Sequence, residues 1–278
     1  MARGRPVREF ETYVEDSICK DVSHEKYAES PATAFLAYCI DAKDAFLNCQ
    51  NHFTRKIDKS FNKNSLISLQ HIAAGLLPSL MGHFETFERY LFAGLFENSV
   101  FLQSFDEAGF FRRLKDDLFV DIGRLSAYRG LDVAIGTVLA DSLTGWHTPE
   151  KVNEYFLAFG LKTNFFSNVD CDRLRVLWQL RHSIVHTGGS VTIPDSQKVK
   201  QLKAFGGKTV AFEENFIFEV CRKMHSIVEE SVCRLRDAFI SRLRSDIADA
   251  DRQAVESLFT VRSRVAVWLK NGKALEHY

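Results

Sequence analysis

Apolar side chains recur every three or four positions along most of this chain, a period that predicts helices. The run opening at Ser30-Pro31 sets Phe35, Tyr38, Cys39, Ala42, Phe46, Cys49 and Phe53 on one stripe. Pro31 falls near the first helical position, where a missing amide donor does no harm. This helix is predicted to end by about Ile57, ahead of the polar run DKSFNKNS. From Ser65 to about Glu97 the pattern is strongest, with Leu69, Ile72, Ala73, Leu76, Leu77, Leu80, Phe84, Phe87 and Leu91 holding one face. Pro78 lies inside that run. Lacking a donor and clashing with the preceding turn, it predicts a kink or break there.

Further helical patterns cover Phe105 to Leu118 and Asp121 to Ala140, the second interrupted by Gly123, Gly130 and Gly136. Thr148 and Pro149 then make a cap and first position for a helix that Gly160 stops. The aromatic group Tyr155, Phe156, Phe159, Phe165 and Phe166 reads most simply as core, with base stacking as the other use of such rings. A helix over Cys171 to Thr187 is closed by Gly188-Gly189, another runs from Phe216 to Arg244, and a last one passes through Val255, Phe259 and Val265 to Leu269 before Asn271-Gly272. Strand signals are confined to 190–213, where Val191-Thr192-Ile193 and Lys208 to Phe212 predict a small hairpin or flap.

Residues 1–30 are polar without a sustained period and read as an N-terminal extension, an arm or a short lead-in helix. Residues 31–278 show no repeat, no low-complexity run and no proline-rich linker, which predicts a single helical domain. The expected fold class is therefore all-α, a helical bundle with a small β-hairpin inserted after the 171–187 helix.

Composition changes this picture little. At 46% hydrophobic and 26% charged, the 278 residues suit an ordinary globular chain. Lysine plus arginine equals aspartate plus glutamate at 36 each, so no global field draws in nucleic acid, and any such binding needs a local patch. Six cysteines, Cys19, Cys39, Cys49, Cys171, Cys221 and Cys233, include no Cys-x-x-Cys pair and read as reduced thiols. The first residues carry no apolar run suited to a signal peptide. The longest apolar stretch, Ile72 to Gly82, is interrupted by Pro78-Ser79 and is too short to span a bilayer. A cytoplasmic protein with no membrane partner is the expectation.

Chemistry concentrates at the end of the 171–187 helix, CDRLRVLWQLRHSIVHTGG, where Arg181, His182 and His186 gather around Ile184 and Val185. Cationic residues near a helix C-terminus complement the dipole, so a capping role stands beside any catalytic one. His182 and His186 are one turn apart, as metal ligands can be. No third ligand is near: Cys171 lies three turns away, roughly 16 Å at 1.5 Å per residue. No cofactor or metal is expected. Gly206-Gly207-Lys208-Thr209 ends like a phosphate-binding loop, but residue 202 is Leu where the first glycine belongs, and no buried strand precedes it.

Arg181 followed five positions later by His186, with His182 in the polar slot after the arginine and GGSVTIPD downstream, resembles the Arg-x-x-x-x-His motif of HEPN domains. That resemblance implies a small helical bundle and a metal-independent endoribonuclease acting as a homodimer, of toxin or phage-defence type. It further implies RNA as substrate and a cognate antitoxin or other regulatory protein as a partner. Arg181 would stabilise the scissile phosphate, His186 would act as acid or base, and His182 would orient one of them or touch the substrate. Glu85 or Glu88, on the long 65–97 helix, is a candidate brace for Arg181, with a solvated or capping carboxylate as the simpler reading of each.

Geometry constrains that reading. Positions five apart on a regular helix differ by about 140° in direction. Arg181 and His186 converge only if the last turn unwinds into Thr187-Gly188, or if each reaches a groove shared with a second copy. A non-catalytic helical interaction module, in which both residues hold a dimer seam, is the alternative function class.

Overall fold

The computed structural model describes residues 25–263 and two short strands at 269–270 and 273–274. It is all-α with a small β-hairpin. Helix α1 (Glu25–Glu29) leads into α2 (Pro31–His52), and α3 (Lys63–Asn98) follows. Then come α4 (Glu107–Leu114), α5 (Ile122–Ala127), α6 (Ile135–Ser142), α7 (Pro149–Leu157) and α8 (Asn168–Thr187). After the flap, α10 (Phe216–Ile240) and α11 (Asp249–Leu258) complete the helices, with α9 (Ile193–Lys198) inside the flap itself.

The long helix α3 is the axis of the fold. Asn62 caps it by accepting from the Ser65 amide at 2.8 Å. Phe84 lies 5.3 Å from Phe35 of α2 and 5.9 Å from Phe166, ring centre to ring centre, so one α3 stripe touches two neighbours at once. Farther along, Phe92 meets Phe110, Trp146, Phe156 and Phe159. The 155–166 aromatic group is buried throughout and is core. Helix α8 packs against α3, as the apolar faces predict.

Pro78 does not break α3, which is helical from Lys63 to Asn98. An internal proline costs about 3 kcal/mol. Leu77, Leu80, Met81 and Phe84 around it are buried to within 1% exposure, and their packing offsets that cost. By length and composition α3 with its short continuation, Lys63–Phe101, could also cross a membrane. The interrupted apolar run Ile72 to Gly82 hid this, because helix length and not run length sets the reach. In this fold its Leu69, Leu77, Phe84 and Leu91 face the core.

Extended structure is not confined to 190–213. Strands β1 (Ser190–Val191) and β2 (Lys208–Thr209) pair antiparallel as expected, but β3 (Leu269–Lys270) and β4 (Lys273–Ala274) form a second pair. The last helix therefore stops at Leu258 and does not continue to Leu269. Asn271-Gly272 between the paired strands is a two-residue hairpin signal, and the β-branched and aromatic residues of Val265 to Leu269 favour strand over helix. Residues 264–268 lie outside the described residues, as do 1–24 of the N-terminal extension. Within the extension, Tyr27 on α1 is buried and its hydroxyl lies 2.8 Å from His83 Nδ1 of α3.

Candidate functional site

Helix α8 is fixed at both ends. Ser167 Oγ accepts from the Asp170 amide at 3.2 Å and donates to the Asp170 carboxylate at 2.6 Å, a capping box that sets the first turn. Cys171, Leu174, Leu177 and Trp178 bury its inner stripe, and desolvation raises the Cys171 thiol to about 11. At the far end Gly188 (φ 61°) and Gly189 (φ 86°) take the left-handed conformation, and both amides donate to the Ser183 carbonyl. Thr187 Oγ1 donates to the same carbonyl at 2.8 Å. The helix therefore stays regular through Thr187.

That regularity decides which site residues meet. His182 and His186 come together, their ring centroids 4.7 Å apart at 45°. The His186 ring is solvent-exposed, and the His182 side chain is 44% exposed. Arg181 points about 140° away from His186 on the same regular helix, so the two do not converge within one chain. Unwinding of the last turn is thereby removed as a way to join them. Arg181 is half-buried, and its Nε has no hydrogen-bond partner among the described residues.

Neither proposed brace reaches Arg181. Glu85 binds Arg89 instead, accepting from Nε at 3.0 Å and from Nη2 at 2.6 Å. Glu88 is 1% exposed, and no ion pair joins it to Arg181 among the described residues. Burial first, then the charge of Glu85, pushes the Glu88 carboxyl well above the usual carboxylate range, against the pull of Arg89.

Asp195 belongs to the site and was not anticipated. Its Oδ2 lies 3.9 Å from His182 Nε2. Hydrogen bonds from Lys198 and Thr192, with a smaller contribution from the charge of His182, hold its carboxyl below the usual range. The signal was present in Thr-Ile-Pro-Asp, a Thr-x-x-Asp capping box at the start of α9. Thr192 Oγ1 accepts from the Asp195 amide at 3.2 Å and donates to its carboxylate at 2.8 Å.

A second unforeseen feature is a run of buried polar atoms on α8 without hydrogen-bond partners among the described residues. Trp178 Nε1, Gln179 Nε2, Arg181 Nε and Ser183 Oγ are all in this state. Each costs about 1–3 kcal/mol in a buried setting. Among the described residues, no three His, Cys, Asp or Glu side chains are grouped as a metal-binding set. Cys39, Cys49, Cys171, Cys221 and Cys233 are all free thiols.

Comparison with family models, with curated proteins and with solved structures found no match.

Proposed function

We propose that this chain is a metal-independent endoribonuclease acting as a homodimer, with Arg181, His182 and His186 as its working residues. The observation that carries the reading is the imidazole pair at the end of α8, its ring centroids 4.7 Å apart and tilted at 45°, with a carboxylate 3.9 Å from His182. In this reading the 2′-hydroxyl of the RNA attacks the adjacent phosphorus, and an imidazole of His186 takes its proton. A second imidazole protonates the departing 5′-oxygen, leaving a cyclic phosphate and a free 5′-hydroxyl. Arg181 offers a planar fork of donors to the phosphate oxygens that gain charge.

A two-fold dimer supports this chemistry better than one chain does. Arg181 and His186 diverge on one regular helix, whereas two α8 ends facing across an axis supply both from different copies. The exposed Val185 favours burial of the outward face of α8 against a second copy. A toxin or phage-defence setting, with an antitoxin or other regulatory protein, goes with the HEPN resemblance. An exposed apolar side chain beside the imidazole pair also suits a non-catalytic dimerisation module, because a protein seam buries such a side chain. The discriminating experiment is incubation of the purified protein with RNA in excess chelator. Fragments ending in cyclic phosphate are expected, and intact RNA across all substrates would leave the interaction module.

A further inference from the structure

The flap that follows α8 concentrates positive charge in a chain whose formal net charge is zero. Residues 190–213 hold four lysines, Lys198, Lys200, Lys203 and Lys208, against two acidic residues, Asp195 and Glu213. Lys198 is paired with Asp195 at 2.7 Å. Lys200, Lys203 and Lys208 are exposed and have no carboxylate partner among the described residues. Lys200 and Lys203 sit on a 3₁₀ turn, Lys200–Phe205, where residues three apart eclipse one another. Their side chains therefore leave the turn in one direction, separated along its axis by roughly 6 Å at ~2.0 Å per residue.

An aromatic ring leaves the same turn about 120° from that row, on the side of Leu202. Phe205 is 48% exposed, and Lys208 Nζ lies 5.4 Å from its ring centroid, within cation–π range. Gly206 makes this arrangement feasible: a Cβ there would come within 2.8 Å of Ser196 Oγ and 3.3 Å of Ile193 Cα, so only glycine lets the turn close onto α9. The Phe205 ring also walls an open, mostly apolar cavity of about 290 Å³ bounded by Leu180 of α8 and by Leu202. The flap is anchored to the motif helix at its base, where Val210 N–H donates to Gly189 O and Gly207 N–H to Val191 O. Asp195 joins the flap to His182.

We infer that this flap is a single-stranded RNA-binding subsite, in which Lys200, Lys203 and Lys208 contact successive phosphates and Phe205 stacks on an unpaired base. The inference rests on the ribonuclease reading for its choice of RNA among polyanions. Lysines without carboxylate partners supply the salt-sensitive grip that a phosphate backbone calls for. A half-exposed ring beside Lys208 favours a strand whose bases are free to stack over a duplex, whose bases are not. The same lysines without the ring would suit an acidic protein surface, and Phe205 is what separates the two.

The test measures binding apart from cleavage. A fluorescein-labelled twelve-nucleotide RNA, 2′-O-methylated throughout so that it cannot be cut, is titrated with the full chain by anisotropy over a range of salt. The triple variant Lys200→Ala, Lys203→Ala, Lys208→Ala is expected to lower the slope of log affinity against log salt by about 0.7 per lysine, or roughly 2 in all. Phe205→Ala is expected to weaken binding about five- to 150-fold with the slope unchanged. Melting curves of both variants should match wild type, because the altered side chains are exposed. Wild-type affinity and slope in the triple variant would overturn the inference, even if the protein cleaves RNA. So would lysine-dependent binding of a polyglutamate peptide with no effect of Phe205→Ala. Flap-dependent binding in a protein that never cuts unmodified RNA would uphold the subsite and overturn the nuclease reading alone.

Discussion

The imidazole rings of His182 and His186 lie 4.7 Å apart, one helical turn from each other at the glycine-closed end of α8. Among the described residues, only His182 of the two has a carboxylate beside it, Asp195 at 3.9 Å. Two similar side chains are thus given different surroundings, which suits a division of roles between an exposed acid/base and a positioned neighbour.

Asp195 should act through His182. Asp195→Asn keeps the shape of the side chain but removes the charge that faces the imidazole and pairs with Lys198. Cleavage is expected to fall partially, to the level of His182→Ala, with a stability loss of no more than about 1 kcal/mol from the weakened start of α9. Full activity in Asp195→Asn alongside reduced activity in His182→Ala would detach the carboxylate from the site.

The dimer should depend on the outward face of the motif helix. Val185 is 48% exposed between the two histidines in sequence. In the two-fold arrangement, Val185→Glu sets an unpaired charge into the seam at a cost of at least about 2 kcal/mol, roughly a thirtyfold loss in self-affinity. Light scattering at micromolar concentration should show wild-type dimers and variant monomers, with cleavage lost in the latter. An active monomer would contradict the composite site.

Glu88 should make stability fall with rising pH. Its folded carboxyl holds a proton more tightly than the unfolded one, because burial and Glu85 penalise the charge. That contribution is complete below the unfolded value, near 4.3, and is lost as pH climbs through the raised folded value. One such proton gives a slope of up to about 1.4 kcal/mol per pH unit. Glu88→Gln removes the titration, so its stability relative to wild type should grow with pH across that window. Parallel melting-temperature profiles for the two proteins would show that Glu88 is not the group responsible.

Much of this fold was legible because α2 and α3 bury long stripes at helical spacing, and such stripes leave a periodic trace. The uninterrupted α3 was not legible, since Pro78 is a local signal and the packing of Leu77, Leu80 and Phe84 that overrides it is tertiary. The C-terminal strand pair was missed by reading Val265 to Leu269 as a helix when Asn271-Gly272 spoke for a hairpin. At the site, Arg181, His182 and His186 could be picked out by residue type, and their angular relations followed from helix geometry. Asp195 could have been found from the Thr192 capping box, but its approach to His182 depends on how the flap folds back. The unpartnered atoms of Trp178, Gln179 and Ser183 had no sequence signal, because satisfaction of a buried donor is a property of its surroundings.

The central claim is that His186 moves a proton during RNA cleavage, and one paired measurement tests it most directly. Wild type and His186→Ala are assayed on the same RNA in chelator while their melting curves are recorded. An acid/base role predicts a rate loss of roughly 10²–10⁴. The exposed position of the ring predicts a stability change of no more than about 0.3–1 kcal/mol from the lost helix-end charge. Cleavage undiminished in His186→Ala, or absent from wild type while the variant only weakens self-association, would contradict the account.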